Sequence, residues 1–202
     1  MSTPPLTLEP AATALVLIDL QHGIVSMNVH PQPSSDVVAR CKRLADASRA
    51  AGSPVVLVTV GGVGDGKDML APPADAPAAA GGARPANWST IVDELGAQPG
   101  DLRITKRQWG AFYGTELDLQ LRRRGIRTIV LAGISTNVGV ESTARDAFER
   151  GYEQVFVSDA MASASAEAHA NTLKFTFPRI GRIRTTDQVL TALLTAAPRT
   201  RG

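Results

Sequence analysis

Residues 126–134 read IRTIVLAGI, a run of apolar and β-branched residues that predicts a strand buried on both faces of a sheet. The amphipathic segment from about residue 137 to residue 150 follows it directly and predicts a helix, which Gly151 ends. A buried strand joined to a helix is the repeating unit of parallel sheets. This pair of elements therefore indicates an α/β domain.

Strands and helices alternate in the same way on both sides of this pair. Further strands are predicted at residues 13–19, 54–60, 101–106, 153–158 and 181–184. Further helices are predicted at residues 36–51, 116–124, 165–177 and 187–194. Ser35 or Asp36 is placed to cap the helix at 36–51, and Gly52 is placed to end it. The alternation predicts a Rossmann-like, three-layer α/β/α domain, doubly wound around a mainly parallel, six-stranded sheet.

Length, charge and cysteine content narrow the class of protein. The 202 residues fit a single domain, with a core at about residues 12–195. A net charge of +2 is too small to indicate nucleic acid or an anionic membrane as a partner. Cys41 is the only cysteine, which excludes an intramolecular disulfide. No secretory signal and no run of about 20 apolar residues is visible, so we expect a cytoplasmic protein.

Residues 61–87 form a long, variable loop that is rich in glycine, alanine and proline and has no clear periodicity. Loops of this length are more often functional than not. Its first part, GGVGDGKD at residues 61–68, nearly matches the phosphate-binding pattern G-x-x-x-x-G-K-[ST]. Asp68 replaces the hydroxyl that would bind magnesium, and no firm helix follows. We interpret the segment as a flexible loop rather than a nucleotide site.

Three features lie at the carboxyl ends of predicted strands, where sites of such folds form. They are Asp19, Lys106 and the segment 133–139. The amino terminus of the following helix offers N–H groups and a positive dipole to a developing anion. A nearby lysine favours the ionised form of an aspartate, whereas burial opposes it. Aspartates often end strands and lysines often lie at sheet edges, so position alone leaves both a catalytic and an ordinary interpretation open.

Four segments carry a family resemblance. They are IDLQ at 18–21, KRQWGAFYGTELDLQLRRRGI at 106–126, VLAGISTNVGVESTARDAFERGY at 130–152, and Asp159-Ala160 with Ser163. In this order they resemble the isochorismatase-like hydrolases of the cysteine hydrolase superfamily. The resemblance runs from about residue 14 to residue 192 and is poorest at 61–87. It implies an isochorismatase-like fold, hydrolase activity and a homo-oligomer.

The resemblance also implies a catalytic set. The family uses an aspartate after the first strand, a lysine after the third, and usually a cysteine in the first turn of the helix after the fourth. These positions correspond to Asp19, Lys106 and Gly139 in this chain. Without a thiolate at Gly139, an acyl-enzyme route has no obvious nucleophile. Hydroxyls are far weaker nucleophiles, so we do not expect a replacement among the nearby ones, which are Ser135, Thr136, Ser142 and Thr143.

A glycine at this position also resembles true isochorismatases, which hydrolyse a vinyl ether. That reaction needs a proton delivered to carbon and then attack by water, which one carboxylic acid can serve. The resemblance further implies a cis peptide bond at Ile134–Ser135, which would direct the N–H groups of Ser135 and Gly139 at a substrate oxygen. The simpler interpretation of Gly133 and Gly139 is that they allow close packing of helix on strand.

Trp109 and Phe112 follow Lys106 and are predicted to line the substrate pocket, although either fits a core or a subunit contact equally well. Metal-binding members of the family use an Asp/His cluster after the second strand, where residues 61–87 contain no histidine. We therefore predict no metal and no cofactor. His22 lies three residues after Asp19 and could line the pocket, but a surface position is the simpler interpretation.

The sequence thus predicts a hydrolase acting on a small, anionic organic molecule, with Asp19 as acid and base and Lys106 as its electrostatic partner. No nucleic-acid or membrane partner is expected. The alternative is a family member that has lost catalysis and serves as a small-molecule binder or structural oligomer. A cysteine-type amidase is disfavoured by Gly139.

Overall fold

A parallel sheet of six strands lies at the centre of the computed structural model, which describes residues 4–62, 64–65, 67–70, 72–75 and 84–196. The strands follow the order β3-β2-β1-β4-β5-β6, and each neighbouring pair is parallel. They are β1 Thr13–Ile18, β2 Val55–Val60, β3 Leu102–Lys106, β4 Thr128–Ile134, β5 Glu153–Ala162 and β6 Arg182–Arg184. The order reverses between β1 and β4, so the predicted doubly wound fold is confirmed.

Helices cover both faces of the sheet. They are α1 His22–Val25, α2 Ser34–Ala50, α3 Leu117–Arg123, α4 Glu141–Glu149, α5 Ala166–Asn171, α6 Phe177–Ile180 and α7 Thr186–Thr195. Strand β1 shows why its sequence is continuously apolar: Leu15 and Leu17 belong to the core beneath α2 and α7, whereas Val16 and Ile18 belong to the core beneath α3 and α4. Every residue of β1 is buried, as its sequence predicts.

Several predicted boundaries differ from the structure. Helix α2 begins at Ser34, after Pro33, without a side-chain cap, so the prediction that Ser35 or Asp36 caps it is wrong. The Ser34 hydroxyl instead donates a 2.6 Å hydrogen bond to the Val25 carbonyl, which ties the start of α2 to α1. Strand β5 continues four residues beyond the predicted end at 158, to Ala162.

The helix predicted after β4 consists of two parts. A π-helical turn, Thr136–Val140, comes first, and regular α4 follows from Glu141. The helix predicted at 165–177 is similarly divided into α5, a second π-helical turn at Thr172–Thr176, and α6.

The loop at 61–87 is only partly within the described residues, and its described parts contain neither helix nor strand. This agrees with the loop interpretation of residues 61–68, although residues 63 and 66 lie outside the described part. Helix α1 and a short helical turn, Asp93–Leu95, were not predicted. Among the described residues, no helix combines the length and hydropathy needed to cross a membrane.

Candidate active site

Asp19 follows β1 at the point where the strand order reverses. Its backbone has φ 54°, the left-handed region, which aspartate tolerates better than most residues with a Cβ. The Asp19 N–H still donates to the Val58 carbonyl of β2, at 2.9 Å. The chain therefore leaves the strand direction at Asp19 while its backbone stays anchored to the sheet.

Lys106 is the last residue of β3, and its side chain reaches across β2 to Asp19. Its Nζ lies 2.8 Å from Asp19 Oδ2 and 3.3 Å from the Gln108 carbonyl. The two side chains are almost completely buried, with relative exposures of 2% for Lys106 and 7% for Asp19. Two charges removed from water are stabilised only if each has a well-placed partner, and here each is the other's partner.

The Asp19 carboxyl is tuned to titrate near neutral pH. Burial raises its pKa, the neighbouring Lys106 opposes this, and the result is a pKa of about 6 instead of the ordinary 3.8. Oδ2 is held by Lys106, whereas Oδ1 is buried and has no hydrogen-bond partner within the described structure. Of the two carboxyl oxygens, Oδ1 is therefore the one with room for a proton.

Gly139 faces this pair from the π-helical turn after β4. A Cβ at Gly139 would lie 3.1 Å from Asp19 Oδ2, 3.4 Å from Lys106 Nζ and 2.9 Å from Ile18 Cγ2. The strand ends thus bring together Asp19, Lys106 and Gly139, the three residues that the resemblance places in the catalytic set.

The junction between β4 and the turn is closely packed. Gly133 has φ 120°, and a Cβ there would come within 2.2 Å of the Ile18 carbonyl oxygen, so only glycine fits this approach of β4 to β1. The Ile134–Ser135 peptide bond is cis. The Ser135 carbonyl accepts hydrogen bonds from the N–H groups of Val138 and Val140, at 3.2 and 3.1 Å, which close the turn.

The two predicted pocket aromatics lie in different environments. Trp109 is 61% exposed on the loop after Lys106, whereas Phe112 is buried in the core with its ring 5.8 Å from that of Tyr152. Within that loop the Gln108 side chain donates to the carbonyls of Gly110 and Tyr113 and holds its shape. The structure thus leaves Trp109 available at the surface beside the site and places Phe112 in the core.

Gln21 is a residue of the site region whose role was not predicted. Its fully buried amide donates to the Val60 carbonyl at 2.9 Å and to the Trp88 carbonyl at 3.3 Å, and it accepts from the Val60 N–H at 2.8 Å. It therefore ties together the end of β1, the end of β2 and the segment around Trp88. A polar residue two positions after Asp19, in IDLQ, is the only signal that the sequence gives.

His22 lies away from the pair. It lines a groove of about 480 Å³ between α1 and α2, together with residues such as Val38 and Lys42. Within the described ranges, no group of three or more His, Cys, Asp or Glu side chains could hold a metal ion.

Comparison with known proteins gives a consistent assignment. A model of the isochorismatase domain matches residues 13–188. The uncharacterized isochorismatase family protein YwoC of Bacillus subtilis (strain 168) is 53% identical over 186 residues, which cover 92% of this chain and 96% of that protein. Ureidoacrylate amidohydrolase RutB of Methylobacterium radiotolerans is 35% identical over 190 residues, which cover 81% of this chain and 72% of that protein.

A solved structure supports the same assignment at the level of the fold. An isochorismatase family protein from Burkholderia thailandensis superposes with a TM-score of 0.89 at 48% identity. The match covers 94% of this chain and 98% of that one.

Proposed function

The chain belongs to the isochorismatase family of hydrolases, and on that premise we propose that it hydrolyses a small, anionic organic molecule by acid–base chemistry at Asp19 and Lys106. The reaction uses no covalent nucleophile. The observation that supports this proposal is the buried Asp19–Lys106 ion pair, with Gly139 beside it at the position that the resemblance matches to the family's cysteine.

Asp19 is the acid. With a pKa of about 6, roughly a tenth of the carboxyl is protonated at pH 7, and its conjugate base is available to take a proton back. A catalytic group works best when its pKa lies near the working pH. Oδ1, which has no partner in the described structure, is the oxygen that delivers the proton.

Hydrolysis of a vinyl ether at this site begins with proton transfer. Asp19 Oδ1 transfers its proton to the terminal alkene carbon, which leaves an oxocarbenium ion. Water adds to the cationic carbon and returns a proton to Asp19, and the resulting hemiketal breaks its C–O bond to give a carbonyl compound and an alcohol. The net reaction consumes one water.

Lys106 is the electrostatic partner of Asp19. Its ammonium group holds Oδ2 at 2.8 Å, which stabilises the carboxylate left after proton transfer. It also supplies a buried positive charge that favours an anionic substrate. We propose that the Ser135 and Gly139 N–H groups, at the start of the turn after β4, contact a substrate oxygen.

Trp109 is proposed to line the entrance to this site, and a homo-oligomer in the cytoplasm is part of the proposal. The exposed rings of Trp109 and Tyr113, next to the strand end that carries Lys106, support a surface for a substrate or a second subunit. Phe112 acts from the core, where it supports the loop.

Amide hydrolysis is the second candidate, because the Methylobacterium relative is named an amidohydrolase. An acyl-enzyme mechanism needs a nucleophile near the Asp19–Lys106 pair, and Gly139 has none. A cysteine there would also place its Cβ 2.9 Å from the Cγ2 of Ile18, a stiff β-branched side chain. A residue with a Cβ at position 139 would therefore crowd Ile18, whereas glycine does not.

A substrate panel separates these functions. Carboxylated vinyl ethers and small amides, including ureidoacrylate and nicotinamide, are incubated with the protein, and carbonyl product and ammonia are measured. We expect turnover of vinyl ethers, little or no amide hydrolysis, and no acylated protein by mass spectrometry. Amide turnover with an acyl adduct on Ser135, Thr136, Ser142 or Thr143 would overturn the proposal. Binding without turnover across the panel would support the inactive alternative.

A further inference from the structure

His169 is a buried histidine that the mechanism above does not use. It lies in α5 with 5% exposure, and burial lowers its pKa, so its ring is neutral near neutral pH. Its Nδ1 is 2.8 Å from the hydroxyl of Thr136, which is itself fully buried. Thr136 is the first residue of the π-helical turn that carries Gly139.

The hydrogen bonds of Thr136 determine where the imidazole proton lies. The hydroxyl has one hydrogen to donate. Its oxygen lies 3.1 Å from the carbonyl oxygen of Ala162, which can only accept a hydrogen bond. If the hydroxyl donates to Ala162, Nδ1 must carry the ring hydrogen and donate to Thr136. With the opposite tautomer, two acceptors would compete for one hydrogen, and a buried polar group would remain unbonded.

These bonds attach the turn to the end of β5. With the Nδ1–H tautomer, His169 donates to the Thr136 hydroxyl, which in turn donates to the Ala162 carbonyl. The next residue of the turn, Asn137, accepts a hydrogen bond from the Ser163 hydroxyl. Two successive residues of the turn are therefore held by side-chain hydrogen bonds at the carboxyl end of β5.

The position of the turn matters because Gly139 lies beside the Asp19–Lys106 pair. A Cβ at Gly139 would lie 3.1 Å from Asp19 Oδ2, so a movement of the turn would change the space next to this carboxylate. From the other side, the Thr143 hydroxyl donates to the Gly139 carbonyl at 2.7 Å. A displacement of Thr136 would therefore move Gly139 relative to Asp19 and Lys106.

We propose that His169 is a positioning residue, which holds Thr136, and through it the Gly139 turn, in register with Asp19 and Lys106. It does not touch the pair itself, and its effect on turnover rests on the proposed function. A nucleophilic role for Thr136 with His169 as base is less well supported, because the Thr136 hydroxyl is directed at the Ala162 carbonyl and is fully buried.

Two amide substitutions provide a matched test. In His169→Asn the amide nitrogen takes the place of Nδ1 and can donate to Thr136, whereas in His169→Gln it takes the place of Nε2 and cannot. We expect His169→Gln and Thr136→Val each to lower kcat about 10-fold or more on a substrate identified with the panel of vinyl ethers and amides, with KM changed much less. We expect His169→Asn to retain most of kcat.

A double variant and a helix control show whether the effect passes through Thr136. Thr136→Val combined with His169→Gln should be no worse than either change alone. Ser165→Ala removes the cap of α5, whose hydroxyl accepts from the Ala168 N–H, and should lower stability without lowering kcat. The proposal would be overturned if His169→Asn and His169→Gln lowered kcat equally. It would also be overturned if Ser165→Ala lowered kcat by the same amount.

NMR tests the inference without any substrate. In the wild type, a ¹⁵N-histidine spectrum should show His169 as the Nδ1–H tautomer. In His169→Gln, the amide signals of Ser135 to Gly139 and the carboxyl titration of Asp19 should shift, and in His169→Asn they should shift much less. An Nε2–H tautomer, or unchanged turn signals in folded His169→Gln, would contradict positioning even if the proposed function failed. An acyl adduct on Thr136 that disappears in His169→Gln would also contradict it and indicate a nucleophile.

Discussion

Asp19 combines two features that each cost free energy. It is a residue with a Cβ in the left-handed region, at a cost of about 1–2 kcal/mol, and its carboxyl is buried with one oxygen unpaired in the described structure. Strain of this kind persists where the surrounding structure enforces it, and it is concentrated at functional sites. Lys106 offsets part of the electrostatic cost by pairing with Oδ2.

Asp19→Asn tests this residue with little change of shape. Asparagine also tolerates the left-handed region, and its side-chain oxygen can accept the hydrogen bond from Lys106, but it has no acidic proton. We expect kcat to fall by about 10²–10⁴-fold while the circular dichroism spectrum stays native. Asp36→Asn, which changes an exposed carboxyl in the first turn of α2, is the control and should keep full activity. Full turnover in Asp19→Asn would show that another group supplies the proton.

The turn after β4 shows what the sequence could and could not predict at the scale of an element. The apolar run at 126–134 and the amphipathic pattern after it correctly predicted a strand followed by a helix, and the resemblance placed Gly139 beside Asp19 and Lys106. The sequence does not predict the π-helical turn Thr136–Val140, whose Thr136 hydroxyl bonds to the Ala162 carbonyl of β5 and to the His169 ring of α5. Periodicity within one segment contains no information about such distant partners.

Gly139→Ala tests how closely the turn is fitted to the pair. The added methyl would contact Ile18 Cγ2 at 2.9 Å and Asp19 Oδ2 at 3.1 Å, so either the turn or the pair must move. Overpacking of this kind typically costs about 1–3 kcal/mol, and we expect that loss in urea unfolding together with reduced kcat. Gly100→Ala is the matched control, because nothing lies within 4 Å of its Cβ. If Gly139→Ala left stability and activity unchanged, the turn would accommodate a methyl group at position 139 without displacing Asp19 or Ile18.

At the scale of the whole molecule, the strand order explains why distant residues form one site. Reversal between β1 and β4 leaves an opening above their carboxyl ends, and β3 is close enough for a lysine to reach across β2. The alternation of strands and helices predicted this convergence, since parallel strands end at the same edge. Gln21 could not be assigned in this way, because its partner Val60 is 39 residues away and is recognised only by backbone contacts.

Burial of the Asp19–Lys106 pair also predicts how the stability of the protein depends on pH. The Asp19 pKa is about 6 in the folded protein, against 3.8 for an ordinary aspartate, so between these values the native state binds more protons than the unfolded state. Stability from this group is therefore present at low pH and is lost as pH rises from about 4 to about 6. Above that window its contribution is constant.

Asp19→Asn removes this titration and isolates its effect on the whole molecule. The free energy of unfolding in urea is measured for both proteins from pH 4 to pH 7, and the value for the wild type is subtracted from that for the variant. This difference should rise between pH 4 and pH 6 and then level off. Taking the difference between the two proteins cancels the other titrating groups, which both share. If this difference instead fell as the pH rises over the same window, the effect of Lys106 on the Asp19 pKa would outweigh that of burial, and the pKa would be depressed. The carboxyl would then be a fixed anion at neutral pH, and proton delivery from Oδ1 could not be the first step of the reaction.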